Sequence, residues 1–172
     1  MTGLRVREMT LADCDRVSEI RIRGWQTAYE GLMPQSYLDA LSATEDAERR
    51  RARFGQGDGS VVNLVAEQDG EVVGWACHGP YRDGEVRTGD AELYAIYVTP
   101  DRFGSGVGRA LLAESVRRCA GHARVFLWVL KENARARRFY ERAGFHADGT
   151  EEPFEVDGVE VPEVRYVKGL SA

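Results

Sequence analysis

The chain has 172 residues, of which 43% are hydrophobic and 30% are charged, and its formal net charge is −5. These proportions are typical of a soluble globular protein, and the length predicts a single domain over residues 1–172 with enough chain to bury a full core. The acidic balance argues against a nucleic-acid-binding protein, and the lack of any apolar run of membrane-spanning length argues against a membrane protein.

The amino-terminal third predicts one strand followed by three helices. Leu4 to Arg7 alternates apolar and charged residues, which is typical of a half-buried strand. Each helix has a start signal: a Thr cap for the first, a Pro suited to the first turn for the second, and a Ser-x-x-Glu capping box for the third. Gly marks the end of the first and of the third. The predicted helices are Thr10 to Gly31, a short one from Pro34, and Ser42 to Gly55.

The middle of the chain predicts two antiparallel strands, a loop and a third strand. Gln68-Asp69-Gly70 is a hairpin signal between the strands Val61–Ala66 and Glu71–Cys77. Gly79 to Asp90 is polar and rich in glycine, so we expect a surface loop there. This loop leads to an apolar strand, Ala91 to Val98.

The carboxy-terminal part predicts two helices and three strands. A helix from about Gly104 to Ala120 precedes Arg124–Leu130, which is nearly all apolar and is therefore expected to be a central strand buried on both faces. Asn133 caps a short helix that Gly144 ends, and two last strands turn at Asp157-Gly158. The order of elements indicates a mixed α/β sheet with a βαβ unit and helices on both faces.

Three glycines at alternate positions, Gly104, Gly106 and Gly108, lie between the strand 91–98 and the next helix. Glycine lets backbone N–H groups approach a ligand, and a helix N-terminus carries unpaired amides and partial positive charge. The junction therefore predicts a phosphate or pyrophosphate site. It lacks the Gly-Lys-Ser/Thr of a nucleotide-triphosphate loop, and its G-x-G-x-G spacing fits the dinucleotide-binding fingerprint poorly.

Two sequence blocks resemble the GNAT (GCN5-related) N-acetyltransferase family. Val98 to Leu112 is similar to the family's acetyl-CoA-binding motif, and Asn133 to Phe145 is similar to its second motif, N-x-x-A-x-x-F-Y-x-x-x-G-F. The resemblance implies a single GNAT domain with a mostly antiparallel sheet, no metal, and transfer of acetyl from acetyl-CoA to an amine of a small molecule or peptide. It also suggests a homodimer. The alternatives are a non-catalytic acyl-CoA-binding or regulatory domain and, more remotely, an NAD(P)-binding oxidoreductase.

The resemblance also implies cofactor-binding residues. Loop amides would bind the pyrophosphate. An amide of the preceding strand, from Ile96, Tyr97 or Val98, would donate to the thioester carbonyl, and Asn133 would donate to the pantetheine arm. The family usually has Gln or Arg where this chain has Phe103, which we expect to pack on the sheet. The cofactor-binding residues are Tyr97, Val98, Phe103, Gly104, Ser105, Gly106, Val107, Gly108, Arg109 and Asn133. One arginine among 135, 137, 138 and 142 could approach the 3′-phosphate, but the sequence does not select it.

Acyl transfer to an amine needs a base, and the departing thiolate benefits from a proton donor. Tyr140, in the family's Phe-Tyr pair, is the predicted general acid; the alternative is a tyrosine that only packs its ring. Glu92 is the predicted base, and the alternative is an acid that reaches solvent or pairs with an arginine. His78 is the second candidate base. The aromatic residues Trp25, Tyr29 and Tyr37 either line the acceptor pocket or belong to the core.

The three cysteines, Cys14, Cys77 and Cys119, are odd in number and form no C-x-x-C motif. We therefore expect reduced cysteines, no structural zinc and a cytoplasmic protein. The amino-terminal residues are not followed by the apolar segment of a secretory signal, which agrees with that location.

Overall fold

A computed structural model describes residues 3–84 and 86–170, so that Glu85, in the predicted loop 79–90, lies outside the described residues. The strands are β1 Arg5–Glu8, β2 Val62–Gln68, β3 Glu71–Asp83, β4 Val86–Val98, β5 Arg124–Leu130, β6 His146–Val156 and β7 Val159–Gly169. The helices are α1 Cys14–Ala28, α2 Gln35–Asp39, α3 Ala43–Arg53, α4 Val107–Arg118 and α5 Ala134–Arg142. No helix in these ranges is long and apolar enough to cross a membrane.

The strands form one sheet in the order β1-β2-β3-β4-β5-β7-β6. Neighbouring strands are antiparallel except β4 and β5, which are parallel because α4 connects them. This arrangement confirms the predicted single α/β domain with a mixed, mostly antiparallel sheet and a central βαβ unit. β5 lies between β4 and β7, which confirms its prediction as an inner strand.

Helices cover both faces of the sheet, as predicted. The adjacent β2 residues Leu64 and Val65 are both fully buried, yet they belong to different core clusters because successive side chains of a strand point to opposite faces. Val65 packs with Val17 of α1. Leu64 shares its cluster with Leu111 of α4 and Leu127 of β5. We call these surfaces the α1 face and the α4 face; α5 packs on the α4 face.

The prediction of a surface loop over residues 79–90 is wrong for most of that segment. β3 continues to Asp83 and β4 starts at Val86, with Arg82 paired to Arg87. Tyr81 is buried and packs its ring 4.7 Å from that of Phe126. The sequence pattern was polar and glycine-rich, but backbone pairing and this aromatic contact hold the segment as a long hairpin.

Gly74 allows α4 to approach the sheet closely. A Cβ at this position would lie 2.7 Å from Cδ1 of Leu111 and 3.1 Å from Cγ1 of Val107. We expect Gly74→Val to lower the free energy of unfolding by about 2 kcal/mol, since overpacking a well-filled core is destabilising. Urea denaturation measures this loss. Gly89→Val is the control, because a Cβ at Gly89 meets no atom within 4 Å; equal losses in the two variants would contradict the close approach.

Candidate active site

The glycine loop connects β4 to α4 and is open on one side. Gly104 and Gly106 have φ values of +75° and +93°, so the right-handed helix cannot begin before Val107, three residues later than Gly104, where the sequence predicted it. A Cβ at either glycine would meet no atom within 4 Å. The first helical hydrogen bond of α4 runs from the N–H of Ala110 to the carbonyl of Gly106 at 3.0 Å. The N–H groups of Val107, Gly108 and Arg109, in the first turn of α4, therefore have no helical partner and face the loop, as an anion site requires.

Next to this loop the two parallel strands separate. β4 and β5 pair only at Ala91–Val125 and Glu92–Phe126, after which the remaining residues of β4 have no partner on β5. A cavity of about 1000 Å³ occupies the gap. Its lining includes Tyr29, which directly follows the last residue of α1, together with residues of α4 and α5. Since those helices lie on opposite faces of the sheet, the cavity connects the two faces through the gap.

The backbone of β4 turns particular amides into this gap. The N–H of Thr99 donates to the carbonyl of Val73 on β3 at 3.0 Å. Because N–H directions alternate along a strand, the N–H of Tyr97 also points to β3, while those of Ile96 and Val98 point into the gap. Of the three amides considered for the thioester carbonyl, two are therefore oriented toward the cavity.

The side chain of Tyr97 lines the cavity from the α1 face. Its ring stacks on that of Trp75 at 6.2 Å, and its hydroxyl lies 3.3 Å from the hydroxyl of Tyr29. A Cβ on Gly24 of α1 would lie 2.5 Å from Cδ1 of Tyr97, so this glycine makes room for the ring. Burial raises the pKa of Tyr97 well above its ordinary value, with a further contribution from Tyr29. The Tyr29–Tyr97 contact was not predicted, because it joins residues far apart in the chain.

Tyr140 lines the cavity from α5 and is 9% exposed. Burial raises its pKa above the usual value, and the nearby hydroxyl of Tyr29 adds to the effect. Tyr140 therefore stays protonated and is able to donate a hydrogen bond. Its neighbour Phe139 also contacts the cavity and packs against Gly108, where a Cβ would lie 3.4 Å from the ring.

Asn133 is the N-cap of α5, as predicted. Its Oδ1 accepts a hydrogen bond from the N–H of Ala136 at 3.2 Å. The side chain also lines the cavity, so its amide nitrogen is in position to donate to a ligand. The cap and the predicted pantetheine contact use different atoms of the same side chain and are compatible.

Glu92 lies where β4 and β5 begin to separate. Ala91 and Leu93 pack on the α4 face, so Glu92 projects from the α1 face. Burial raises its pKa to about 7, with a smaller contribution from the Glu163 carboxylate; the N–H of Arg82, which donates to Oε1 at 3.4 Å, opposes the shift. Glu92 has no salt-bridge partner within 4.0 Å in the described part of the chain. It does not line the cavity itself, but the adjacent Leu93 does.

His78, the second candidate base, is not at the cavity. It is 5% exposed, and burial lowers its pKa, with Arg118 contributing. Since Arg118 is the last residue of α4, His78 lies near the end of that helix that is remote from the glycine loop. Trp25 is partly buried against Tyr29 at 4.9 Å and Tyr37 at 6.3 Å, so these aromatics form part of a core cluster, and Tyr29 also reaches the cavity.

The predicted loop residues differ in what their side chains do. Gly104, Gly106, Gly108 and Arg109 line the cavity. Val107 is fully buried, and the hydroxyl of Ser105 donates to the carbonyl of Arg102, so neither side chain lines the cavity. Val107 can therefore contribute only its backbone amide to a ligand, whereas the N–H of Ser105 already donates to the carbonyl of Arg102 at 3.2 Å.

The expectation that Phe103 packs on the sheet is wrong. The side chain is 40% exposed and lines the cavity, and the guanidinium carbon of Arg135 lies 3.9 Å from its ring centroid. A cation–π contact with α5 replaces packing on the sheet. Further cations line the same cavity: Arg102, Arg109, Arg117, Arg142 and Lys168. This basic rim on an acidic protein favours a ligand with several negative charges.

A glycine loop at a helix N-terminus, a gap between parallel strands and a basic rim together define a binding site for a phosphate-bearing ligand. The acetyltransferase (GNAT) family model matches residues 24–145. An uncharacterised N-acetyltransferase of Bacillus subtilis is 32% identical over 161 residues, covering 92% of this chain and 89% of that protein. The chain belongs to the GNAT family of N-acetyltransferases, which use acetyl-CoA.

Solved structures agree with this fold. The ribosomal-protein-alanine N-acetyltransferase of Brucella melitensis has a TM-score of 0.75 at 24% identity, covering 96% of this chain and 99% of that one. The PaiA N-acetyltransferase of Thermoplasma acidophilum, solved in complex with coenzyme A, has a TM-score of 0.72 at 21% identity, covering 96% and 98%. At these identities the similarity establishes the fold and leaves the acceptor open.

Proposed function

We propose that this enzyme transfers the acetyl group of acetyl-CoA to an amine of a small molecule or peptide by direct attack on the thioester. The observation that carries the proposal is the cavity between β4 and β5, which joins the glycine loop and Tyr140 on the α4 face to Tyr29 and Tyr97 on the α1 face. A donor entering from one face and an acceptor from the other would meet in this gap. The cytoplasmic location and the homodimer stay predictions.

The loop amides and the basic rim would bind the pyrophosphate, and Asn133 the pantetheine arm. This orientation brings the thioester carbonyl to the N–H of Ile96 or Val98, which stabilises negative charge on its oxygen during attack. The residues at the cavity fit coenzyme A because open backbone at Gly104 and Gly106 and unpaired amides lie beside several cations.

Glu92 would act as the base. An ammonium has no free electron pair, so one proton must leave the acceptor, directly or through water, before its nitrogen attacks the thioester carbon. The C–N bond then forms, the C–S bond breaks with its electron pair on sulfur, and the nitrogen loses a second proton, which reaches the departing sulfur directly or through water, so that the products are the amide and the thiol of CoA. Tyr140 donates a hydrogen bond to the developing thiolate. The thiol has a pKa of roughly 8.5, below that of Tyr140, so hydrogen bonding to the thiolate is favoured over complete transfer of the tyrosine proton.

Calorimetric titration tests the cofactor assignment directly. We expect acetyl-CoA to bind in the micromolar range and NADPH not to bind at the same concentration. Tight binding of NADPH with none of acetyl-CoA would overturn the proposal in favour of an oxidoreductase.

The Glu92 assignment predicts a pH dependence. The carboxylate accepts a proton only when ionised, so the rate should rise with pH through an inflection near 7 in kcat/KM for the acceptor. Glu92→Gln should lower kcat/KM roughly 10²-fold and remove this inflection, while titration of the acceptor amine persists. Glu163→Gln is the control: it should keep the inflection and move it to lower pH, because the Glu163 charge helps raise the pKa of Glu92. An inflection retained in Glu92→Gln would contradict the assignment.

Stability supplies a second readout that needs no acceptor. The pKa of Glu92 is raised from 4.5 to about 7, so ionisation is unfavourable in the folded state. Below the unfolded pKa both states are protonated and the residue contributes nothing; the destabilisation develops as pH rises and is complete above 7. Glu92→Gln should therefore be more stable than wild type above pH 7, relative to their difference below pH 4.5.

A further inference from the structure

Phe103 and Arg135 form an exposed stacked pair at the cavity. They come from different elements, the glycine loop and the first turn of α5, and both line the cavity. The guanidinium carbon lies 3.9 Å from the ring centroid. Contact with the ring occupies the flat face of the guanidinium and leaves its N–H groups, which lie in the plane, free to donate.

Among the four arginines near α5, this pair singles out Arg135. Arg137 donates to the hydroxyl of Tyr166 at 2.8 Å and to the carbonyl of Lys131 at 2.9 Å, so its donors are engaged. Arg138 does not line the cavity. Arg142, the last residue of α5, lies about two helical turns further along and beyond Tyr140.

Two other cations of the rim have carboxylate neighbours, whereas Arg109 has no salt-bridge partner within 4.0 Å in the described part of the chain but lies beside the glycine loop, in the first turn of α4. Arg117 is bound to Glu114 at 2.6 Å, and Arg102 lies 3.9 Å from Asp101. Arg135 has no carboxylate within 4.0 Å in the described part of the chain, and its charge is uncompensated. Because the loop amides already provide the pyrophosphate site, this cation is available for a different phosphate.

We propose that Arg135, oriented by Phe103, binds the 3′-phosphate of coenzyme A and makes the enzyme select CoA over carriers that lack this group. The inference rests on the proposed function, since it assumes that the cavity holds CoA. A planar guanidinium binds a terminal phosphate through two parallel hydrogen bonds, which is a strong and geometrically specific contact. Phe103 supplies a platform where a Gln or Arg would have supplied a donor, and Arg135 restores the charge from α5.

The test compares the dissociation constants of acetyl-CoA and acetyl-3′-dephospho-CoA, measured by calorimetry on the full chain. We expect wild type to bind acetyl-CoA about tenfold more tightly, as a charge-assisted contact provides. Arg135→Gln should weaken acetyl-CoA binding by about the same factor and leave dephospho-CoA binding unchanged, so that the preference disappears. Arg138→Gln, which removes the same charge from the same helix away from the cavity, should keep the preference.

Phe103 is a positioning residue, because it acts through Arg135. Phe103→Leu should reduce the preference for acetyl-CoA, and Phe103→Tyr should retain it, because a tyrosine ring preserves the platform. Equal affinity of wild type for the two compounds would overturn the inference while leaving CoA binding intact. So would an Arg135→Gln variant that weakens both equally, which would indicate pyrophosphate binding. Failure of wild type to bind either compound would instead refute the proposed function.

Discussion

Tyr140→Phe should lower kcat about 10²-fold and change the affinity for acetyl-CoA by no more than about twofold, because one donor to a developing charge is lost. The ring that lines the cavity is kept, so only the hydroxyl that is proposed to donate to the sulfur is removed. Rapid-mixing kinetics gives kcat, and calorimetry gives the dissociation constant.

Tyr166→Phe is the matched control for this variant. Tyr166 is fully buried, and its hydroxyl donates to Glu141 at 2.7 Å and accepts from Arg137 at 2.8 Å. Its loss should lower the free energy of unfolding, by about 1 kcal/mol for each hydrogen bond, without changing kcat. If Tyr140→Phe weakened acetyl-CoA binding as much as it lowered kcat, Tyr140 would be a packing residue rather than a donor to the thiolate.

Gly106→Glu should weaken acetyl-CoA binding more than 100-fold, because it introduces a carboxylate where the pyrophosphate is proposed to bind. The added side chain has space, since no atom lies within 4 Å of a Cβ at this position. The φ of +93° will cost ~1–2 kcal/mol of stability in any residue with a side chain. Calorimetry measures the affinity, and urea denaturation confirms that the variant folds.

Gly57→Glu is the control for Gly106→Glu: it introduces the same backbone strain and the same charge, but away from the proposed pyrophosphate site. Gly57 has a φ of +99° and equally open surroundings, but it precedes β2 and does not line the cavity. This control should show a similar loss of stability with unchanged affinity for acetyl-CoA. Unchanged affinity in Gly106→Glu as well would show that the glycine loop does not hold the cofactor.

Local sequence chemistry was sufficient to predict the parts of the site that depend on neighbouring residues. Gly104 and Gly106 adopt left-handed conformations, so α4 begins only after them. Asn133 caps α5 by accepting a hydrogen bond from the backbone N–H three residues further along the chain. The apolar run of β5 likewise indicates an inner strand, because only such a strand is buried on both faces. In each case the determining interaction lies within a few residues of the motif.

The remaining features depend on contacts between distant segments. β4 separates from β5 after Glu92, next to a shift in the pairing of β4 with β3 at which Tyr94 has no partner; such a bulge depends on how two strands pair. The hydroxyl contact of Tyr29 with Tyr97 and the stacking of Phe103 on Arg135 each join elements far apart in sequence. Sequence patterns therefore predicted the glycine loop and the cap of α5 better than they predicted the side-chain contacts that shape the cavity.

We propose that a donor bound at the glycine loop reacts with an amine that enters through the gap between β4 and β5. Incubating the full chain with acetyl-CoA and a panel of small-molecule and peptide amines, and following thiol release together with the mass of each amine, tests this most directly. We predict acceptor-dependent thiol release with formation of the acetylated amine, and its loss in Gly106→Glu. Tight binding of acetyl-CoA without acceptor-dependent release for any amine would contradict the claim and indicate an acyl-CoA-binding regulatory domain.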